Sequence, residues 1–311
     1  MNAPTLTDVL ERKASPFDLD DDASYRRWRA TKLARRARSI QELIVDVADP
    51  LALSGPERDA IVQRCALWNM AVYRCPEGAP QGKEVARALG RQLGLHRLDA
   101  NWLADGDGIS SIAVGQTGQD KSGFIPYTER PLGWHTDGYY RPAHDPIRAM
   151  LLHCVRPAVQ GGANALLDHE LAYIALRDAS SAWARALCES DAMTVPARED
   201  EGGLARPAQA GPVFSVDAQD GALHMRYTAR TRSIAWKQDA ATRGAVAFLE
   251  RLLAQGNPDL LLLRLEAGMG IVANNLLHAR SAFVDDLAKP RLLYRARYLD
   301  RVAQEATCRN G

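Results

Sequence analysis

The chain has 311 residues, which is enough for one large domain or two ordinary ones. Hydrophobic residues make up 46% and charged residues 25% of the chain, which is the profile of a soluble globular protein. The formal net charge is only +1, so the overall charge gives no reason to expect nucleic acid or a membrane as a partner.

Cysteine usage and the absence of long apolar runs bear on localisation. The chain has 5 scattered cysteines and no C-x-x-C pair. This pattern argues against a disulfide framework or a zinc knuckle and fits a reducing compartment, so we expect a cytoplasmic protein. Residues 1–22 contain several acids and no apolar signal segment, and no run of about 18 apolar residues follows, so we expect neither a signal peptide nor a membrane span.

The first hundred residues are predicted to be mostly helical, with one strand inserted. Apolar residues at helical spacing predict a helix in the basic segment 25–44, and its arginines favour a solvated helix face over an anion-binding surface. A second helix is predicted over 54–68, a buried strand over 70–74 and a helix over 83–93, which Gly94 would end.

Beyond residue 109 the pattern changes to short apolar segments separated by turn residues. Asp220-Gly221 is typical of a two-residue hairpin turn. Further helices are predicted over 171–176, 183–187 and 242–254. Strands that recur about every ten residues indicate a jelly roll or barrel and not a parallel sheet. The predicted strands are 109–114, 147–155, 163–168, 213–216, 223–228, 260–265, 270–274 and 291–299.

The segment His135-Thr136-Asp137 is the candidate for chemistry. Side chains two residues apart on an extended chain point to the same side, so an imidazole and a carboxylate can meet one metal ion. With a second histidine they would form the 2-His-1-carboxylate site of a non-haem Fe(II) oxygenase, although the tripeptide alone also fits a polar turn. The other histidines are His96, His144, His153, His169, His224 and His278.

The sequence around each histidine separates these candidates. His153 lies in an apolar run and is predicted to be a core residue, whereas His144 and His169 have polar neighbours and are predicted at the surface. His278 follows a predicted strand that leads into a turn, so a jelly roll could bring it beside His135.

The strand after Lys289 places arginines on one face. Arg291, Arg295 and Arg297 alternate with apolar or aromatic residues, and burying them would be costly unless anions meet them. Guanidinium groups are suited to bind carboxylates in such places. Surface salt bridges to Asp285, Asp286 or Asp300 remain the alternative.

Together these segments resemble the Fe(II)- and 2-oxoglutarate-dependent dioxygenases of the taurine dioxygenase group, which includes γ-butyrobetaine hydroxylase-like and clavaminate synthase-like enzymes. The matching motifs stand in the order of that family, and they are Trp134-His-Thr-Asp137, Gly161-Gly162, Asn274-Asn275, His278-Ala-Arg-Ser-Ala-Phe283 and Arg291-x-x-x-Arg295. The resemblance implies an α+β fold with a mainly β core, a double-stranded β-helix or jelly roll with flanking helices. We expect an N-terminal arm and helices over 1–64, the dioxygenase domain over 65–300 and a tail over 301–311.

The resemblance also implies roles for individual residues. His135, Asp137 and His278 would be the catalytic iron ligands, and Arg291 would bind the distal carboxylate of 2-oxoglutarate. Arg295 would face the substrate or assist the cosubstrate. Asn164 stands where relatives often carry a threonine that binds 2-oxoglutarate, and an amide can also donate to a carboxylate. The resemblance further implies that Asp137 argues against a halogenase, because family halogenases replace this ligand with a small residue.

The implied activity is oxidation, most simply hydroxylation, of a small molecule with O2 and 2-oxoglutarate, giving succinate and CO2. The candidate substrate-binding residues are Tyr139, Tyr140, Arg230 and Arg295. Arginines favour an anionic substrate, whereas the tyrosines would suit a trimethylammonium group through cation–π contacts. The sequence is also compatible with a homo-oligomer.

Two other classes of protein compete with this interpretation. One is a catalytically silent jelly roll that binds a metal or ligand as a sensor or scaffold. The other is a zinc-dependent hydrolase, which is less well supported because the chain has no H-E-x-x-H motif.

Overall fold

The structure of the protein is a computed structural model. It describes residues 15–99, 105–114, 124–200, 203–230, 234–254, 256–286 and 288–302. Residues 1–14 of the predicted arm and 303–311 of the predicted tail lie outside the described residues.

Seven α-helices and one short 3-10 helix, Ile125–Tyr127, occur in the described ranges, and several of the α-helices begin at side-chain caps. The Ser54 hydroxyl accepts a hydrogen bond from the backbone N–H of Glu57, and the Glu57 carboxylate accepts one from the backbone N–H of Ser54. The predicted start of that helix is thus confirmed. The helices are α1 (Asp22–Ala34), α2 (Ile40–Leu43), α3 (Gly55–Trp68), α4 (Lys83–Gln92), α5 (His169–Ala179), α6 (Ser181–Leu187) and α7 (Ala240–Leu252).

The described strands are short, as their spacing along the chain predicts. Strands β1 to β10 are Ile44–Asp46, Met70–Arg74, Ser110–Ile112, Leu132–His135, Ala149–Arg156, Gln160–Gly161, Asn164–Leu167, Met193–Val195, Arg198–Asp200 and Gly203–Arg206. Strands β11 to β19 are Gln209–Gly211, Phe214–Val216, Leu223–Met225, Ala235–Trp236, Leu261–Leu263, Met269–Ala273, Leu277–Arg280, Phe283–Val284 and Leu292–Tyr298.

Two larger sheets face each other across a shared apolar core. One has the strand order β1-β2-β16-β5-β19-β3 and the other β15-β7-β17-β4. The pairs within them are antiparallel except for β1 with β2. Leu152 and Ile271 of the first sheet pack in one cluster with Leu166 and Leu263 of the second. The fold is thus mixed, with helices and mostly antiparallel strands, as predicted.

Helices cover the outer faces of both sheets. Ile61 of α3 and Leu89 of α4 pack with Leu151 and Ala296 on the outer side of the six-stranded sheet. Helices α5, α6 and α7 form a second cluster that includes Leu277 of β17. Because side chains alternate along a strand, Leu277 faces these helices and the next residue, His278, faces the space between the sheets.

Two expectations about local structure are wrong. The basic segment 25–44 is not one helix, since α1 ends at Ala34 and α2 is a separate turn of helix from Ile40. The hairpin of β12 and β13 does not turn over two residues, because Val216 pairs with Leu223. The loop of residues 217–222 is held by the Asp217 side chain, which accepts the backbone N–H of Gln219.

Helix α1 is fixed to the rest of the chain by a buried cation. The ammonium group of Lys32 lies 2.6 Å from Asp168 and 2.5 Å from Glu170, and it donates to the carbonyl of Leu67. Although burial opposes the charge, the two carboxylates raise the pKa of Lys32. This side chain therefore anchors the helix, while Arg26 on the same helix is exposed.

No helix in the described ranges is both long and apolar enough to cross a membrane.

We expect Lys32→Met to lower the free energy of unfolding by about 3–5 kcal/mol, because it leaves two buried carboxylates without their cation. Urea unfolding followed by circular dichroism measures this change. The control Arg26→Met removes an exposed pair with Asp22 and should leave stability nearly unchanged. Equal effects of the two substitutions would contradict the anchoring role.

Candidate metal centre

Two histidines meet across neighbouring strands. His135 ends β4 and His278 lies on β17, and the antiparallel register places them directly opposite each other. Side chains in such a pair lie on the same face of the sheet, and the two ring centroids are 4.2 Å apart. The structure therefore brings together the two histidines that the sequence singles out.

Asp137 joins them because the chain stays extended through Thr136. The Thr136 hydroxyl accepts the backbone N–H of Tyr227, and the backbone N–H of Thr136 donates to the carbonyl of Tyr227, so Thr136 is held against the segment that His135 also bridges at Thr228. The backbone of Asp137 donates to the side chain of Asn275 over 2.7 Å, and the Asn275 amide donates back to the carbonyl of Asp137. One ligand atom each from His135, Asp137 and His278 lies within 4.8 Å of the others.

Backbone carbonyls fix the tautomers of both imidazoles. Nδ1 of His135 donates to the carbonyl of Gly133 over 2.9 Å, and Nδ1 of His278 donates to that of Leu276 over 3.1 Å. A carbonyl can only accept, so the proton is on Nδ1 and the lone pair is on Nε2 of each neutral ring. Burial, together with the neighbouring His278, lowers the pKa of His135 to about 3, and burial also lowers that of His278. Both rings can thus bind a cation through Nε2.

The carboxylate of Asp137 is ionised and has one free oxygen. Although burial opposes ionisation, Arg295 and Arg297 hold the pKa of Asp137 well below its usual value. Its Oδ1 accepts from Nη1 of Arg295 over 3.2 Å, with Nη1 of Arg297 at 3.9 Å. Its Oδ2 is buried and has no hydrogen-bond partner among the described residues. Two imidazole nitrogens and this orphaned oxygen form a donor set that suits Fe(II).

A small cavity joins Arg291 to Asn164. Gly162, at the predicted Gly161-Gly162 turn, lines it with both residues, and the cavity also borders Arg264. Arg291 is buried, its guanidinium carbon lies 5.0 Å from the centre of the Phe283 ring, and burial lowers its pKa. Asn164 lies on β7 opposite Arg280 of β17. A guanidinium and an amide therefore face one enclosed space.

The two tyrosines after Asp137 lie in different surroundings. The Tyr140 hydroxyl accepts from Nη1 of Arg297 over 2.9 Å, and the guanidinium of Arg206 lies 5.8 Å from its ring centre. Tyr139 packs edge-on against Tyr140 at 5.5 Å. Arg230 is exposed, two residues beyond Thr228, whose backbone forms an isolated bridge to His135.

The remaining histidines have different outcomes. His153 is a core residue, as predicted, because it is buried and its Nδ1 shares a 2.9 Å hydrogen bond with the Tyr73 hydroxyl. His144 is exposed, as predicted. The surface prediction for His169 is wrong, because its ring is buried at the start of α5 and its Nε2 bonds the carbonyl of Leu223. The polar sequence neighbours of His169 do not indicate exposure, because Asp168 caps the helix and Glu170 binds Lys32.

Two residues near the site were missed by sequence reasoning. Asp99 is buried and its Oδ2 lies 2.7 Å from Nη2 of Arg297. Arg206 approaches Tyr140 from the hairpin of β9 and β10. No local pattern marks either residue, although the alternation of arginines on β19 required buried anions, and one of these is Asp99.

Comparison with curated proteins identifies relatives over part of the chain. A uridine-5'-phosphate dioxygenase from Streptomyces is 32% identical over 179 residues, which are 55% of this chain and 62% of that protein. A uridine-5'-phosphate dioxygenase from Amycolatopsis is 32% identical over 176 residues, which are 54% of this chain and 60% of that protein. The chain therefore matches about three-fifths of the length of these relatives.

Solved structures share the fold at low sequence identity. A taurine dioxygenase from Burkholderia xenovorans superposes with a TM-score of 0.56 and 20% identity, covering 85% of this chain and 89% of that one. An asparagine oxygenase solved with Fe(II), 3-hydroxyasparagine and succinate superposes with a TM-score of 0.56 and 14% identity, covering 92% of this chain and 86% of that one. The model of the taurine catabolism dioxygenase family TauD/TfdA matches residues 36–297, which is most of the chain, so the protein belongs to that family.

Proposed function

We propose that the protein is an Fe(II)- and 2-oxoglutarate-dependent dioxygenase that oxidises a small molecule, most simply by hydroxylation. The observation that carries this proposal is the cluster of His135, Asp137 and His278, whose ligand atoms lie within 4.8 Å of one another. Both rings present an unprotonated Nε2, and the free Oδ2 of Asp137 completes the set. Such a facial triad leaves ligand positions open for a cosubstrate and for O2.

The protein's own groups would hold and orient the reactants. When bound, Fe(II), 2-oxoglutarate and O2 supply the oxidising chemistry, with succinate and CO2 as coproducts. Arg291 would bind the distal carboxylate of 2-oxoglutarate, and the amide of Asn164 would donate to it from the same cavity. Because both residues are buried, competing water would be kept away from the ion pair between Arg291 and the cosubstrate.

We infer that the two facing sheets form the double-stranded β-helix of the family. The antiparallel pairing and the common core of the sheets support this topology. We also keep the division into N-terminal arm and helices over 1–64, dioxygenase domain over 65–300 and tail over 301–311. Strand β1 nevertheless joins the main sheet from before residue 65, so the N-terminal part is continuous with the domain.

We infer that the substrate carries an anionic group. Arg295 is buried beside Asp137, and its Nε has no hydrogen-bond partner among the described residues. Arg206 and Arg297 approach Tyr140, which disfavours a trimethylammonium group because a third cation there would be repelled. Tyr139, Tyr140, Arg230 and Arg295 remain the proposed substrate-binding residues. The phosphate in the names of the curated relatives agrees with this charge preference.

We expect His135→Ala to abolish the weak visible charge-transfer band that forms when Fe(II) and 2-oxoglutarate are added without oxygen, because the metal loses one of three protein ligands. Anaerobic absorption spectroscopy measures the band. The control His144→Ala changes an exposed histidine and should keep it. A band of full intensity in His135→Ala would refute the metal site, whereas a band without succinate formation on any substrate would favour the silent binding protein.

We expect Arg291→Met to weaken 2-oxoglutarate binding roughly tenfold to a hundredfold, because a buried charge-assisted pair is lost. Titration of the anaerobic Fe(II) protein with 2-oxoglutarate gives the dissociation constant. Arg156→Met is the matched control, because Arg156 is an exposed arginine on the neighbouring strand, paired with Leu292. Unchanged 2-oxoglutarate affinity in Arg291→Met would remove this residue from the cosubstrate site.

We expect carboxylates, sulfonates and nucleoside monophosphates to support faster succinate formation than quaternary ammonium compounds of similar size that carry no anionic group, because the arginines near the site favour anions. Succinate released from 2-oxoglutarate measures turnover on each compound. Choline and tetramethylammonium, which carry no anionic group, serve as cationic controls. If the best compounds lack an anionic group, the proposed charge preference is wrong.

A further inference from the structure

A buried ion pair behind the metal centre links the six-stranded sheet to the turn that carries Asp137. Arg297 lies on β19 and is 4% exposed, and Asp99 is also 4% exposed. Nη2 of Arg297 lies 2.7 Å from Oδ2 of Asp99, and the backbone N–H of Asp99 donates to the carbonyl of Arg297 over 2.8 Å. The pair is thus held by the side chains and by the backbone.

Asp99 also binds the far end of the Asp137 turn. Its Oδ1 accepts from Nη1 of Arg141 over 2.7 Å. The backbone N–H of Arg141 donates to the carbonyl of Gly138, which closes the turn directly after Asp137. Gly138 has φ +67° and faces Ile147, a conformation and a close approach that favour glycine. One carboxylate therefore connects β19 with residues 137–141.

Arg297 also reaches into the site on its other side. Its Nη1 donates to the Tyr140 hydroxyl over 2.9 Å and lies 3.9 Å from Oδ1 of Asp137. A planar guanidinium can address Asp99, Tyr140 and Asp137 together because its donors point in fixed, different directions. A lysine ammonium is a single point charge and would have to give up part of this set.

We propose that Arg297 and Asp99 are positioning residues that set the orientation of the Asp137 carboxylate and of Tyr140. This inference rests on the proposed Fe(II) site. Together with Arg295, Arg297 draws Oδ1 of Asp137 to its own side and leaves Oδ2 for the metal. Asp99 balances the charge of Arg297. The guanidinium can therefore orient the Asp137 carboxylate without forming a closer ion pair that would compete with the metal for it.

The test is metal affinity in variants that keep the three ligands. We expect Arg297→Lys and Asp99→Asn to bind Mn(II) roughly tenfold to a hundredfold more weakly than the wild type, the range typical of residues that orient metal ligands. Loss of the free Mn(II) signal in electron paramagnetic resonance gives the dissociation constant. Urea unfolding without metal is measured on the same samples, so that lost stability and lost affinity are separated.

Arg177 provides a matched control. It is a buried arginine on α5 whose guanidinium donates to the hydroxyl of Tyr173 and to Asp22, so its partners resemble those of Arg297. Arg177→Lys should lower stability and leave Mn(II) affinity within about twofold, because neither partner is at the metal centre.

Several outcomes separate the positioning role from a purely structural one. Wild-type Mn(II) affinity in folded Arg297→Lys and in Asp99→Asn would overturn the proposal, even if both variants lose stability. If Arg297→Lys does not fold, Asp99→Asn and Tyr140→Phe provide the test. Weaker Mn(II) binding in Asp99→Asn, with near-normal Mn(II) binding in Tyr140→Phe, would show that the effect on affinity acts through Asp137. Failure of the wild type to bind Mn(II) would instead contradict the proposed iron site itself.

Discussion

The carboxylate of Asp137 facing two buried guanidinium groups is the interaction on which the site depends. Charges are costly between two apolar sheets unless they are paired, and here Arg295 and Arg297 approach the same oxygen. Within the described ranges, Asp137 is the one carboxylate within ion-pair distance of Arg295, while Arg297 also has Asp99. The arrangement keeps Asp137 ionised and leaves its second oxygen free. With Asp99 opposite Arg297, the two guanidinium groups and the two carboxylates balance in charge.

Strand register then determines whether three ligands can meet. His135 and His278 are opposite each other in one antiparallel pair, and a shift by one residue would turn one ring to the helical side of the sheet. The side chain of Asn275 fixes the position of the Asp137 backbone through two hydrogen bonds. Asn275 itself adopts a left-handed conformation with φ 51°. The ligands therefore come from elements that the two sheets already fix, and this favours a preformed site over one assembled by the metal.

The sequence predicted what depends on local chemistry. Capping at Ser54, the buried strand from Met70 to Arg74 and the core position of His153 follow from patterns within a few residues. It failed where distant partners decide: His169 is buried under β13, and Asp99 meets Arg297 almost two hundred residues away. The prediction of a single helix over 25–44 is wrong for a similar reason. Helix α1 ends at Ala34, and the distant Trp68 donates its ring N–H to the carbonyl of Arg35. Periodicity describes one face of one element and carries no information about what covers that face.

The arginines of this chain illustrate why residue type alone does not assign anion binding. Arg226, four residues before the candidate Arg230, is buried and donates to the carbonyls of Tyr139, Met193 and Gln209. Its donors are used in holding backbone segments together, and Arg280 does the same for residues before β4. Arg295 differs because its Nη1 donates to the carboxylate of Asp137 and not to a backbone carbonyl, while its buried Nε, like that of Arg280, has no hydrogen-bond partner among the described residues. A guanidinium has five donors, so the useful measure is how many the fold leaves unused. Unused donors alone do not single out Arg295, and the proposed anion recognition depends on the position of its guanidinium beside Asp137.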